Sequence, residues 1–265
     1  MRKKLYDKDN KRLVFIDRAA STEFWDEQWE ATAAETFFNP PKFRMYVNIT
    51  KKYLPLNSKI LEGGCGLGAV ANALQNAKFV VHGLDFAPKV IKTIKKNWPH
   101  LSVSQGDVRS LKFKSDEFDG YWSLGVIEHF PDGYTDIISE MKRVIKPGGY
   151  LFLTFPAFNT FRRIKAQLNK YESLKVHPCD DPNFYQFALE PAKVINDLNK
   201  YGFTLEERRG CASLDGIAEE TFMGFKSRQY INMISPRLGT ILSLVLDKLL
   251  GKYIGHTILL VLRKN

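Results

Sequence analysis

Cysteine is scarce here: three in 265 residues, at positions 65, 179 and 211. An odd, scattered set builds no disulfide framework and has no metal-like pairing, so a reducing, cytoplasmic setting is expected and a bound metal is not. Long apolar runs are lacking too. The basic start Met1-Arg2-Lys3-Lys4 has no apolar segment behind it and is not expected to act as a signal peptide. Acids are the minority charge, 29 against 39 bases, for a formal net charge of +10. Such an excess favours anionic partners. The lysines are spread along helix faces, however, with no basic block interleaved with aromatics, which argues against nucleic acid. The length suits one α/β domain with appendages.

What the chain does have is glycine concentrated in one place. Ile60-Leu61-Glu62 runs into Gly63, Gly64, Gly66 and Gly68, and then into a helix over Ala69–Asn76. Glycines there permit positive φ and let a ligand approach the main chain. Two ligands fit this grammar. Gly66-Leu67-Gly68-Ala69-Val70-Ala71 satisfies the dinucleotide pattern, and Asp85 lies about 20 residues on, where a ribose-binding acid belongs. That leaves an NAD-type oxidoreductase open. Glu62, at the strand end, would repel a pyrophosphate and suits a cationic amine instead. S-adenosylmethionine carries an ammonium, a sulfonium, a ribose and an adenine, and no phosphate.

Further strands end the same way. Phe79 to Phe86 reads as a strand closed by Asp85, then a helix from Pro88 with Val90, Ile91 and Ile94 inward. Leu101 to Val108 is a third strand, carrying Gly106-Asp107, and Phe118 to Leu124 a fourth. Asp136 to Ile145 is an amphipathic helix stopped by Lys146-Pro147-Gly148-Gly149, and Tyr150 to Phe155 is a fifth strand. Strands alternating with helices predict a parallel sheet with its ligand at the strands' carboxyl ends, where Glu62, Asp85, Asp107 and Ser123 fall. Asp85 is placed to accept ribose hydroxyls, Phe86 to pack on adenine, and Asp107 with the Val108 amide to meet the adenine edge.

Five motifs in order over roughly residues 55–156 resemble the class I S-adenosylmethionine-dependent methyltransferases: Ile60–Gly68, Leu84-Asp85, Gly106-Asp107, Phe118–His129 and Lys146–Gly149. The resemblance implies a Rossmann-like doubly wound sheet of seven strands, order 3-2-1-4-5-7-6, with the last strand antiparallel. It implies a methyltransferase with S-adenosylmethionine as donor and S-adenosylhomocysteine as product. Glu62, Asp85 and Asp107 would contact amine, ribose and adenine, with Gly63, Gly64, Gly66, Gly68, Gly106, Val108, Ser123 and Leu124 around them. His129 is the candidate general base, oriented by Glu128. The alternative for that pair is a helix cap and polar pair at the domain rim. A protein that binds the donor without chemistry is a further alternative.

The flanks should decide the acceptor, which is expected to be a small or lipid-like molecule. Residues 1–54 are expected to form a helical lid over the methyltransferase domain at 55–265, with Trp25 and Trp29 one turn apart on its face. Arg44 could reach the donor's carboxylate. Asn39-Pro40-Pro41, which looks like an amino-methyltransferase signature, is expected to be a loop between helices because it does not follow the fourth strand. Tyr134, Phe155, Phe158 and Tyr185 are candidate pocket walls. Gly202-Phe203 opens strand six and Thr257–Arg263 is strand seven. The roughly 45 residues between them exceed a hairpin loop, and a helical insertion is expected at about 212–255. Within it Leu238, Ile241, Leu242, Val245, Leu246, Leu249 and Leu250 share one helix face, against Thr240, Ser243, Asp247 and Gly251. Packing on the domain or a homodimer contact is expected for that face, with a membrane-surface element for a lipid acceptor as the alternative.

Overall fold

The structure, a computed structural model, describes residues 2–32, 40–221, 226 and 235–265, the side chains of 30–32, 40–42 and 236–238 excepted. Its main sheet is built from β3 (Lys59–Gly63), β4 (Val80–Asp85), β5 (Ser102–Gln105), β6 (Phe118–Leu124), β7 (Ile145–Pro156), β10 (Phe203–Cys211) and β11 (Thr257–Lys264). Their spatial order is β10-β11-β7-β6-β3-β4-β5, with β11 antiparallel to both neighbours. That is the expected order, written from its other edge.

Period-two alternation puts one side chain of each neighbouring pair on each face. Ile60, Trp122, Phe152 and Leu259 meet α2 (Pro40–Tyr53) and α3 (Ala69–Asn76) on one side. Leu61, Tyr121, Leu151 and Leu260 meet α5 (Thr135–Val144) and α7 (Pro191–Lys200) on the other. Buried on both faces, such strands read as near-continuous apolar runs. The stop after α5 is a bulge: Phe118 pairs with Ile145 and Gly120 with Tyr150, so Lys146–Gly149 loop out within β7.

The amino-terminal region departs from the expected helical lid. Residues 3–16 form a hairpin, β1 (Lys3–Asp7) and β2 (Arg12–Ile16), in a second sheet ordered β8-β1-β2-β9 with β8 (Glu172–Ser173) and β9 (Phe184–Ala188). Asp7 closes the hairpin by accepting from the Asn10 amide and the Arg12 guanidinium. Of the described amino-terminal helices, α1 (Thr22–Thr32) lies over the strand ends, started by the Ser21 hydroxyl accepting from the Phe24 amide. α2, by contrast, supplies Phe43 and Ile49 to the core. Pro40 opens α2, and Asn39 lies outside the described residues.

Between β10 and β11 run α8 (Ser213–Glu220) and α9 (Pro236–Ile254), the described parts of the expected insertion. A buried ion network ties α8 to the hairpin. Arg162, fully buried on α6 (Thr160–Gln167), donates to Glu220 at 3.0 Å, and Lys4 and Lys165 reach the same carboxylate at 2.8 and 2.7 Å. No helix among the described residues is long and apolar enough to cross a membrane.

Candidate active site at the strand ends

A cavity of about 300 Å³ opens at the carboxyl ends of β3, β4, β5 and β6, at the lower end of the roughly 300–1,000 Å³ that hold small ligands. Gly64, Asp85, Phe86, Gly106, Asp107, Val108 and Leu124 line its floor, as expected, and Trp25 and Trp29 of α1 line its roof. Trp29 lies over the glycine turn so closely that a Cβ on Gly66 would come within 2.6 Å of the indole. Gly66 also has a φ of +48°, so both the space and the backbone call for glycine.

Asp85 organises that turn. Its carboxylate accepts from the Gly66 amide at 2.8 Å and the Ala87 amide at 3.0 Å, and each oxygen keeps a lone pair for a further donor. Burial pushes its pKa up, against the amides that favour the ionised form.

Glu62 sits behind the loop rather than on the cavity wall, buried at the end of β3. Burial raises its pKa to about 8, while a hydrogen bond from the Ala71 amide pulls the other way. Ala71 belongs to the first turn of α3, so the carboxylate occupies a helix amide that a pyrophosphate would use. The other oxygen, Oε2, has no partner among the described residues. Tyr121, Ser123 and Glu128 also carry buried oxygens without a partner. All four cluster in sequence on β3, β6 and the turn after β6. Orphaned polar atoms are costly unless something satisfies them, and an ammonium-bearing ligand at these strand ends would serve Glu62. The site therefore fits S-adenosylmethionine and disfavours a dinucleotide.

Asp107 is less free than the sequence implied. Its carboxylate accepts from the Arg109 amide and is gripped by the Arg109 guanidinium at 2.7 Å, which holds its pKa down. Arg109 lines the cavity and stacks over Phe130, 5.0 Å from the ring centre, and Phe130 lines the cavity as well. Neither Arg109 nor Phe130 was a candidate from sequence. Phe130 directly follows His129, a placement the motif could have suggested. Arg109 offered no signal.

His129 lines the cavity, and its Nδ1 donates to the Tyr185 carbonyl at 2.8 Å. The proton is thereby fixed on Nδ1, and Nε2 is the acceptor. Burial lowers the ring's pKa to about 4, so it is neutral near pH 7. The expected orienting partner, Glu128, forms no hydrogen bond to the ring. The correction is a backbone carbonyl on β9, brought close by the second sheet, which no local motif reveals. Trp25 meets the imidazole edge-on at 5.1 Å, as does Tyr185 at 5.2 Å.

Other candidates lie elsewhere. Phe155 is in the main core and Phe158 stacks on Tyr6 under the hairpin. Tyr134 donates to Asp197 and does not line the cavity. Arg44 is exposed on α2, away from it. Tyr185 touches His129 from behind.

Residues 61–153 match the family model of a methyltransferase domain. A protein of Mycolicibacterium smegmatis named "Probable S-adenosylmethionine-dependent methyltransferase" is 26% identical over 160 residues, 60% of this chain and 57% of that one. The ubiquinone biosynthesis O-methyltransferase of Thiobacillus denitrificans is 26% identical over 159 residues, covering 57% of this chain and 67% of its own. The chain thus spans from just over half to about two thirds of these relatives. A solved SAM-dependent methyltransferase from Methanosarcina mazei shares the fold with a TM-score of 0.53 at 19% identity, over 82% of this chain and 96% of that one. The matched strands are those that carry the cavity's acids and glycines, and over residues 61–153 the chain carries a methyltransferase domain of the class I S-adenosylmethionine-dependent kind.

Proposed function

We propose that the chain methylates a hydroxyl group on a small, apolar or lipid-like acceptor, with His129 as general base. The observation that carries this reading is the hydrogen bond from His129 Nδ1 to the Tyr185 carbonyl, which leaves a neutral Nε2 acceptor on the cavity. S-adenosylmethionine, when bound, supplies an electrophilic methyl group. Glu62 would hold its ammonium, Asp85 its ribose hydroxyls, and Phe86 and the Asp107–Val108 turn its adenine. The Trp25 and Trp29 roof excludes water and fixes the geometry of an in-line displacement, where positioning and desolvation supply most of the gain. An O–H nucleophile needs its proton removed, and Nε2 receives it.

The O-methyltransferase names of the Thiobacillus denitrificans relative and others support oxygen as the nucleophile, and the aromatic roof supports an apolar acceptor. Contact with a membrane surface through residues 238–250 belongs to the same reading. The test is transfer of labelled methyl from S-adenosylmethionine to a panel of phenolic, isoprenoid-phenolic, amine and thiol compounds. Labelling of phenols only, abolished in His129→Ala, supports the reading. Labelling of amines or thiols instead, or full activity of that variant, refutes it. Calorimetry with S-adenosylmethionine and NAD in parallel tests the donor independently.

A further inference from the structure

Helix α9 is docked by its polar side. Gly239 and Gly251 are buried and Ser243 and Asp247 half-buried, one stripe at four-residue spacing facing the domain. The contact is backbone to backbone. A Cβ on Gly210 of β10 would lie 1.9 Å from the Gly251 carbonyl oxygen, so only glycine fits. Asp247 accepts from the Ala212 and Ser213 amides at 3.1 and 2.7 Å and so holds the start of α8. With that stripe inward, the large apolar side chains face out. Leu244 is 63% exposed, Leu249 65% and Ile241 57%, and Leu242, Val245 and Tyr253 are exposed beside them. This reverses the expectation that the apolar face packs on the domain.

The exposed arc contains Lys248 and Lys252 and no acid. Beside Gly251 a narrow cleft is lined by Arg163, Arg208 and Lys252, again without an acid. Arg163 pairs with Glu190 at 3.2 Å, whereas Arg208 and Lys252 form no ion pair among the described residues. An apolar helix face about 18 Å long, from Ile241 to Tyr253 and with cations along it, matches the chemistry of an anionic bilayer surface. A twofold contact through this arc would set Lys248 and Lys252 against their own copies, with no acid on the arc to pair them.

We propose that α9 lies in the interface of an anionic membrane, apolar arc inward, with lipid phosphate at the Arg208–Lys252 cleft. This extends the lipid-like acceptor reading, and donor affinity measured alongside separates failure of one from failure of the other. The test is flotation of the full chain with phosphatidylcholine vesicles, with and without phosphatidylglycerol. Binding is expected only with phosphatidylglycerol, and to weaken with salt. It should fall at least about tenfold in Leu244→Gln/Leu249→Gln and in Lys248→Glu/Lys252→Glu, with melting temperature and S-adenosylmethionine affinity unchanged. Absence of flotation with either vesicle, or variants that float like the parent, would overturn the proposal. So would a dimer in solution that the leucine variant converts to monomer.

Discussion

The Nδ1–H of His129 donates to the main-chain carbonyl of Tyr185 across 2.8 Å, and this one bond decides which ring nitrogen can accept a proton. The partner is a carbonyl of β9, in the sheet that contains the amino-terminal hairpin. A carbonyl cannot take the proton away, so the tautomer persists through turnover. Replacing His129 by alanine should lower turnover by roughly 100-fold or more while donor affinity stays within a few-fold. The pH dependence follows from burial, which lowers the ring's pKa to about 4. The base is competent when deprotonated, so the His129-dependent rate should be level near neutrality and fall only as pH drops through about 4. A stopped assay across this range, with calorimetry for the donor, checks both.

Glu62 makes donor binding proton-linked. Burial raises its pKa to about 8, so without a cation it is mostly protonated at pH 7. Pairing with an ammonium requires the ionised form. S-adenosylmethionine binding should therefore release a proton near neutrality, and affinity should climb as pH rises toward 8. Calorimetry in buffers of different ionisation enthalpy measures the release. Glu62→Gln should weaken binding roughly tenfold, about 1.4 kcal/mol, and abolish the proton release. If the variant releases the proton as before, Glu62 is not the linked group.

Gly66 is constrained twice, by its positive φ and by the indole of Trp29 above it. Gly66→Ala should cost about 1–2 kcal/mol for the backbone alone, together with displacement of Trp29, and should reduce donor affinity at least about tenfold. Adding Trp29→Ala removes the clash but not the strain, so recovery should be partial. Full recovery would show that the backbone conformation contributes little.

The buried network around Glu220 should govern stability rather than catalysis. Burial alone would raise its pKa, but Arg162 and Lys4 hold it down to about 2. Glu220→Gln strips the charge that compensates Arg162, Lys4 and Lys165, and should cost roughly 3–5 kcal/mol in urea unfolding. The sign with pH follows. A carboxylate whose pKa is depressed on folding stabilises above its unfolded value near 4.5, and that stability is lost as pH falls toward 2. The variant should lack this component of acid sensitivity. Because Lys4 lies on the hairpin, the variant should also be cut faster there by protease.

The sheet was legible in the sequence because its evidence is local. β3 and β4 are apolar runs ending in an acid or glycine, the crossover helices have an apolar face, and the glycines from Gly63 to Gly68 mark a tight turn that a ligand can approach. The floor of the cavity followed from these strand ends. The hairpin at 3–16 was missed although Leu13, Val14 and Phe15 are fully or almost fully buried, since its partner strand β9 lies far along the chain. The walls expected from Phe155 and Phe158 were wrong for a related reason. An aromatic at a strand end can point to the core as easily as to the cleft.

Spacing alone showed that residues 238–250 would form a two-faced helix, and chemistry alone showed that Glu62, Asp85 and Asp107 suit a cationic nucleoside. Which helix face turns inward, and which atom holds His129, were decided only in three dimensions. Hydrophobicity is an average preference, whereas Gly210 and Gly251 touch main chain to main chain, and that contact is open only to the small side of α9. Likewise a carbonyl has no side-chain signature, so the residue that fixes the imidazole tautomer is invisible until β9 is brought beside it.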